Sequence, residues 1–167
     1  MILWLAACAP DSPLILYSED QLLEDVAGYA DWAQPAAWSG LAPSCAGAHG
    51  TYVRVYLNPI AAEDFAKDGE FREGALLVEA AFQDTSGTPK MVVASRKVTG
   101  YAPYRDDWYV AMLGEEGDHV EVAGRIDSCL SCHNADDGWV RSRGIVPPAT
   151  LADCPIDTGT DTGFYWE

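Results

Sequence analysis

The sequence predicts an α+β fold: an antiparallel sheet of four to five strands, flanking helices, and a C-terminal helix that carries Cys129-Leu130-Ser131-Cys132-His133. Three observations predict it. Apolar residues alternate with period two through 51–57 and 75–82, the strand-like runs are joined by short turns, and helix-opening signals occur on both sides of them.

Taken in order, Ser18-Glu19-Asp20-Gln21 is a capping box, with Ser18 as N-cap and Gln21 reaching back to it. Leu22, Val26, Tyr29 and Ala30 then recur at helical spacing, which predicts an amphipathic helix over 19–32 whose acidic first turn suits the macrodipole. A Pro/Gly/Ser-rich loop follows from Gln34 to Gly50. Thr51 to Leu57 is a strand, with Val53, Val55 and Leu57 on one face and Tyr52, Arg54 and Tyr56 on the other. Asn58-Pro59 opens a short helix that runs through Phe65 and ends near Gly69.

Ala75 to Phe82 is a second strand, sending Leu76, Val78, Ala80 and Phe82 one way and Leu77, Glu79 and Ala81 the other. Thr85 to Pro89 turns the chain into a third strand, Met91 to Ser95. Trp108 to Leu113 is a fourth, after a polar loop with Tyr101, Pro103 and Tyr104, and Val120 to Ala123 a fifth. Asp127 or Ser128 caps the final helix, and Pro147-Pro148 precede a low-complexity acidic tail over 151–167.

A chain of 167 residues, 49% hydrophobic with six Trp and eight Tyr, suffices for one domain and argues against disorder. The net charge of −16 disfavours nucleic acid and anionic membrane. A basic redox partner or a small neutral ligand suits it better. Leu5-Ala6-Ala7-Cys8 resembles a bacterial lipobox, although no Lys or Arg precedes it. The division is therefore a signal remnant over 1–8, a tether over 9–17, a domain over 18–150 and the tail. Cys8 is the lipidation candidate, and an incidental Cys in an apolar N-terminus is the alternative. The expected location is the periplasmic side of a bacterial cell envelope, with membrane contact only through the lipid.

Cys129-x-x-Cys132-His133 is the attachment pattern of one covalent c-type haem: two thiols for two vinyl groups, then an imidazole for the iron. A zinc site would need about four ligands, and no second Cys-x-x-Cys or His-x(3–5)-His occurs. A redox dithiol would open a helix after a parallel strand, a context this chain lacks. With Cys129 and Cys132 on haem and Cys8 on lipid, Cys45 and Cys154 remain; they form a disulfide, or else two buried thiols.

A haem motif at the C-terminal end of a largely β domain, together with Tyr29-Ala30-Asp31-Trp32, Tyr52-Val53-Arg54-Val55-Tyr56, Gly69-Glu70-Phe71-Arg72-Glu73-Gly74 and Trp108-Tyr109, resembles the cytochrome P-460 and cytochrome c′-beta family over about residues 18–147. The resemblance implies a homodimer of antiparallel-sheet cytochromes. It also implies His133 as proximal ligand, an open opposite side, and a role for Arg143, which falls where the family keeps an arginine after the haem motif. Enzymes of that family oxidise hydroxylamine with a lysine cross-linked to the porphyrin and a distal carboxylate; other members bind small gases. Here the position of the lysine is Glu79, and Met91 to Ala94 stand where the distal carboxylate would be. A carboxylate cannot make the amine-to-porphyrin bond. The expectation is thus a monohaem cytochrome that binds nitric oxide or passes single electrons without turnover, with oxidation of hydroxylamine or a related nitrogen compound as the alternative.

Glu79 either faces the haem as a distal proton donor or is an edge carboxylate paired with Arg or Lys or solvated. Four residues could fill the sixth position. His119 follows an acidic turn and is expected to be exposed; His49 is expected to be structural, and Met91 and Met112 are expected in the core. An open iron is the expected outcome.

Overall fold

Side-chain alternation is the first determinant of the architecture, because a strand between two others must bury both of its faces. In the computed structural model, which describes residues 17–45, 49–67, 70–103, 106–124, 126, 129, 133, 140 and 146–154, six strands form one sheet. They are β1 (Ala42–Pro43), β2 (Tyr52–Leu57), β3 (Leu76–Phe82), β4 (Met91–Lys97), β5 (Trp108–Leu113) and β6 (Val120–Gly124). They lie side by side in chain order and every neighbouring pair is antiparallel. Helix α1 (Glu19–Val26) precedes the sheet, and α2 (Pro59–Lys67) joins β2 to β3.

The expected α+β class and antiparallel sheet are present, with six strands rather than four or five. The additional one is β1, two residues inside the loop read as irregular. Two residues carry no periodicity, and Pro43, lacking an N–H, is tolerated because it sits at the sheet edge. The first helix stops at Val26 instead of 32. Gly28 adopts φ +75°, which breaks the helix, and Tyr29–Asp31 make a separate 3-10 turn. The capping box itself is present: Gln21 N–H donates to Ser18 Oγ at 3.1 Å, and Ser18 N–H to Gln21 Oε1 at 3.1 Å.

Register places Tyr56, Val78, Ala94, Ala111 and Ala123 in one row across the sheet. That face is covered by α1 through Leu22 and Val26, both almost wholly buried. Each such side chain contributes roughly 1.5–3 kcal/mol. Asp25 of α1 also pairs with Arg96 of β4, whose guanidinium lies 4.7 Å from the Tyr17 ring centroid. The opposite face carries a second cluster of Val55, Leu57, Ala61, Ala75, Leu77, Trp108 and Val110.

Asn58 links α2 to β3. Its Oδ1 accepts from Ala61 N–H at 2.8 Å and from Leu76 N–H at 3.1 Å, while its Nδ2 donates to Gly74 O at 2.9 Å. Downstream, buried Asp64 accepts from Arg72 N–H at 2.9 Å and from Arg72 Nε at 2.6 Å, so the approach to β3 is held to α2 twice. Lys67 and then Arg72 beside Glu63 hold its carboxyl down to about 2.

Several expectations fall outside the described residues: Cys8 and the signal over 1–8, the tether up to residue 16, Gly69 as a helix end, Tyr104, Asp127 and Ser128 as caps, Cys132, Arg143, and the tail beyond Cys154. Among the described residues no helix is long and apolar enough to cross a membrane.

Asn58→Ala removes a cap and leaves buried backbone donors without their acceptor, and is expected to lower stability by about 1–3 kcal/mol, read from the urea unfolding midpoint. For Glu63 the folded pKa lies below the unfolded one, so its contribution is present above the ordinary carboxylate range and is lost as pH falls toward 2. The gap in urea midpoint between wild type and Glu63→Gln should therefore narrow over that interval; a constant gap refutes the linkage.

Candidate functional site

Glu79 is the one residue of β3 that is not fully buried. It stands opposite Val55 of β2 and Val93 of β4, in a row that continues to Met112 and Val122. The row is packed at its β2 end, where Val55 is buried, and opens toward β6, where Val122 is 43% exposed. A carboxylate in such a row needs a partner. It has one in His49, whose Nδ1–H donates to Glu79 Oε1; both side chains are 27% exposed. The carboxylate beside it raises the His49 pKa above its usual value, against the opposing effect of burial. Glu79 is thus neither an edge residue nor paired with Arg or Lys.

His49 is placed by its own segment. Gly50 takes φ +73°, and a Cβ there would meet Phe82 O at 2.9 Å, so only glycine lets the chain pass this close to the end of β3. Thr51 N–H then donates to Phe82 O at 2.9 Å. On the other side, Cys45 is disulfide-bonded to Cys154 with Cα atoms 5.3 Å apart, a closure over 109 residues that fastens the start of the acidic tail to this loop. The expected pairing is the one present.

The C-terminal motif arrives on the same side of the sheet. His133 N–H donates to Cys129 O at 2.9 Å, an i→i+4 backbone bond; the rest of the helix expected to carry the motif lies outside the described residues. Cys129 packs against the cluster formed by Leu77 and Val55, as do Ile126, Val140 and Val93. The His133 ring lies beside the His49 ring, centroids 5.8 Å apart and planes at 58°. The structure therefore brings together His133, Glu79 and His49, three residues spread over 85 positions of sequence.

Of the remaining candidates, His119 is exposed as expected. It is hydrogen-bonded to Asp118 at 2.8 Å, which raises its pKa. Met91 and Met112 share the Glu79 face, each half-buried, rather than lying deep in the core. His49, expected to be structural, is hydrogen-bonded to Glu79 and lies beside His133. Its only sequence signal is the following glycine, which gives no hint of a partner thirty residues away.

Do these residues suit a c-type haem? Among the described residues no group of three or more His, Cys, Asp and Glu gathers as a metal cage. A haem does not require one, because the porphyrin supplies four nitrogens and the protein needs an imidazole and two thiols. Val93, Met112 and Val122 offer a partly exposed apolar floor on the face that Cys129 joins, and such a floor suits a flat apolar macrocycle. Cys129, His133 and this floor fit such a group, and Cys132 lies outside the described residues.

Replacing Cys45 and Cys154 together by Ser should lower stability by roughly 2–5 kcal/mol for a closure of this length. Thiol labelling of the denatured wild type, with and without reductant, should differ by two thiols; no difference would show that the pair does not form in solution. No protein-family model matches this chain, and no curated protein does.

Proposed function

We propose that the chain is a monohaem c-type cytochrome on the periplasmic side of a bacterial cell envelope, passing single electrons and taking a small gas such as nitric oxide as an exchangeable ligand. The observation that carries this is the conjunction at the motif: Cys129 and His133 are joined by a backbone hydrogen bond, Cys129 packs on the apolar cluster of Leu77 and Val55, and the His133 ring lies beside His49, which is hydrogen-bonded to Glu79. The likeness to the cytochrome P-460 and c′-beta family, and with it a homodimer, is proposed on the motif residues. The antiparallel sheet is in keeping with it.

Each part of the site has a separate role. Cys129 and Cys132 would form the thioethers, His133 would ligate the iron, and the apolar floor would exclude water from one side. When bound, the haem would supply a one-electron couple. Arg143 belongs to the proposed site by resemblance alone. The net charge of −16 favours a basic protein as redox partner, with association that weakens as salt rises. The Cys45–Cys154 disulfide supports an oxidising compartment, and lipidation at Cys8 is the proposed anchor.

A second function is favoured by one observation. Glu79 and His49 share a hydrogen bond and can hold or pass a proton at that bond. Such a pair would serve oxidation of hydroxylamine or a related nitrogen compound, with electrons leaving to an acceptor protein.

Exported protein should give a pyridine haemochrome spectrum and keep its haem mass after denaturation. Cys129→Ala and Cys132→Ala should each leave a single thioether, and the double variant none. A colourless protein from a host that matures c-type cytochromes would end the proposal. Nitric oxide should change the ferrous absorption spectrum, whereas steady acceptor reduction by hydroxylamine would favour the enzyme.

A further inference from the structure

We propose that His49 is the second axial donor to the haem iron, opposite His133, and that Glu79 holds its imidazole in the ligating orientation. This rests on the cytochrome proposal and adds the occupant of the sixth position, which the motif spacing leaves undefined. It also reverses the expectation of an open iron.

The spacing of the two rings is the first ground. Their centroids are 5.8 Å apart. Imidazoles on opposite sides of one metal, each with its nitrogen about 2 Å from it, hold their centroids roughly 6 Å apart. The pair is therefore close to the separation that two donors to one iron require.

The second ground is the hydrogen bond to Glu79. The carboxylate engages His49 through Nδ1, so Nε2 is the ring nitrogen that would face a metal. Histidines that ligate metals commonly donate their other ring N–H to a carboxylate in this way, which sets the ring orientation and raises its basicity.

The third ground is the position of Glu79. Between Val55 and Val93 an apolar residue would serve the sheet at least as well, because a paired charge in an apolar row contributes little net stability. Its use is to orient His49. His119 has a carboxylate on Nδ1 as well, but it and Asp118 stand in an exposed turn.

Two imidazole donors would make the haem six-coordinate and low-spin in both oxidation states, which suits electron transfer. Nitric oxide or carbon monoxide would then have to displace His49 before binding.

The full haem-loaded protein provides the test. Ferric wild type should show a low-spin electron paramagnetic resonance signal, and His49→Ala should lose it to a high-spin signal. Added imidazole should restore the low-spin form. Glu79→Gln should stay low-spin, but its ferrous form should bind carbon monoxide about ten- to a hundredfold more readily, since His49 loses its orienting carboxylate. A high-spin wild type, or a low-spin signal unchanged in His49→Ala, overturns the assignment while leaving the cytochrome intact. If His49→Ala fails to accumulate, Glu79→Gln decides, and carbon monoxide affinity equal to wild type overturns the proposal. Absence of covalent haem overturns both together.

Discussion

The strict alternation of β3 is the constraint on which the rest depends. This strand lies third of six, and its residues divide between two clusters. Leu76, Val78, Ala80 and Phe82 go under α1, and Leu77 joins the cluster that Cys129 touches. A slip of one residue in register would exchange the two sets, placing Glu79 against Leu22 and Val26 with no partner. Burial of both faces makes that slip prohibitive, so Glu79 is held on the side of His133 by hydrophobic packing remote from the site. The function proposed for Glu79 is thus tied to the stability of the sheet.

That link explains which features were legible in the sequence. Alternation in β2 and β3, the Ser18 capping box and the Asn58-Pro59 helix start are local signals, and each appears as expected. The parity of Glu79 with Leu77 was legible for the same reason. Other features depend on context. Leu22, Val26, Tyr29 and Ala30 fit one helical face, but only the backbone angle of Gly28 ends the helix; Tyr29 packs against Tyr56 from a separate turn. The two residues of β1 are strand only because β2 offers an unpaired edge. The Cys45–Cys154 pair followed from counting thiols rather than from any local pattern.

His49 was the least legible, and its case shows how much the site depends on tertiary geometry. Nothing near it in sequence is apolar-periodic or metal-like, and a histidine before a glycine at a strand entrance is ordinarily structural. Its proposed role rests on two distant contacts, Glu79 and His133, that the topology closes. Motif spacing suggests covalent attachment because it is local; it carries no information on the proposed second donor, which would come from a different segment.

The segment that carries His49 is fastened to β3 at two heights. Thr51 N–H bonds to Phe82 O, and Gly50 passes so close to that carbonyl that any side chain would collide. Three residues back along β3, the Glu79 carboxylate holds the His49 ring. The backbone and the side chain of the loop are therefore both referenced to β3, while the disulfide to Cys154 closes the loop from the far side. A residue needed only for packing would not require three independent restraints. A donor that must stay within a narrow distance of His133 would, because a ligand set loses affinity steeply when its orientation is left free. Order in this loop is thus a condition of the proposed coordination, and the strand that supplies it is the one whose alternation sets the fold.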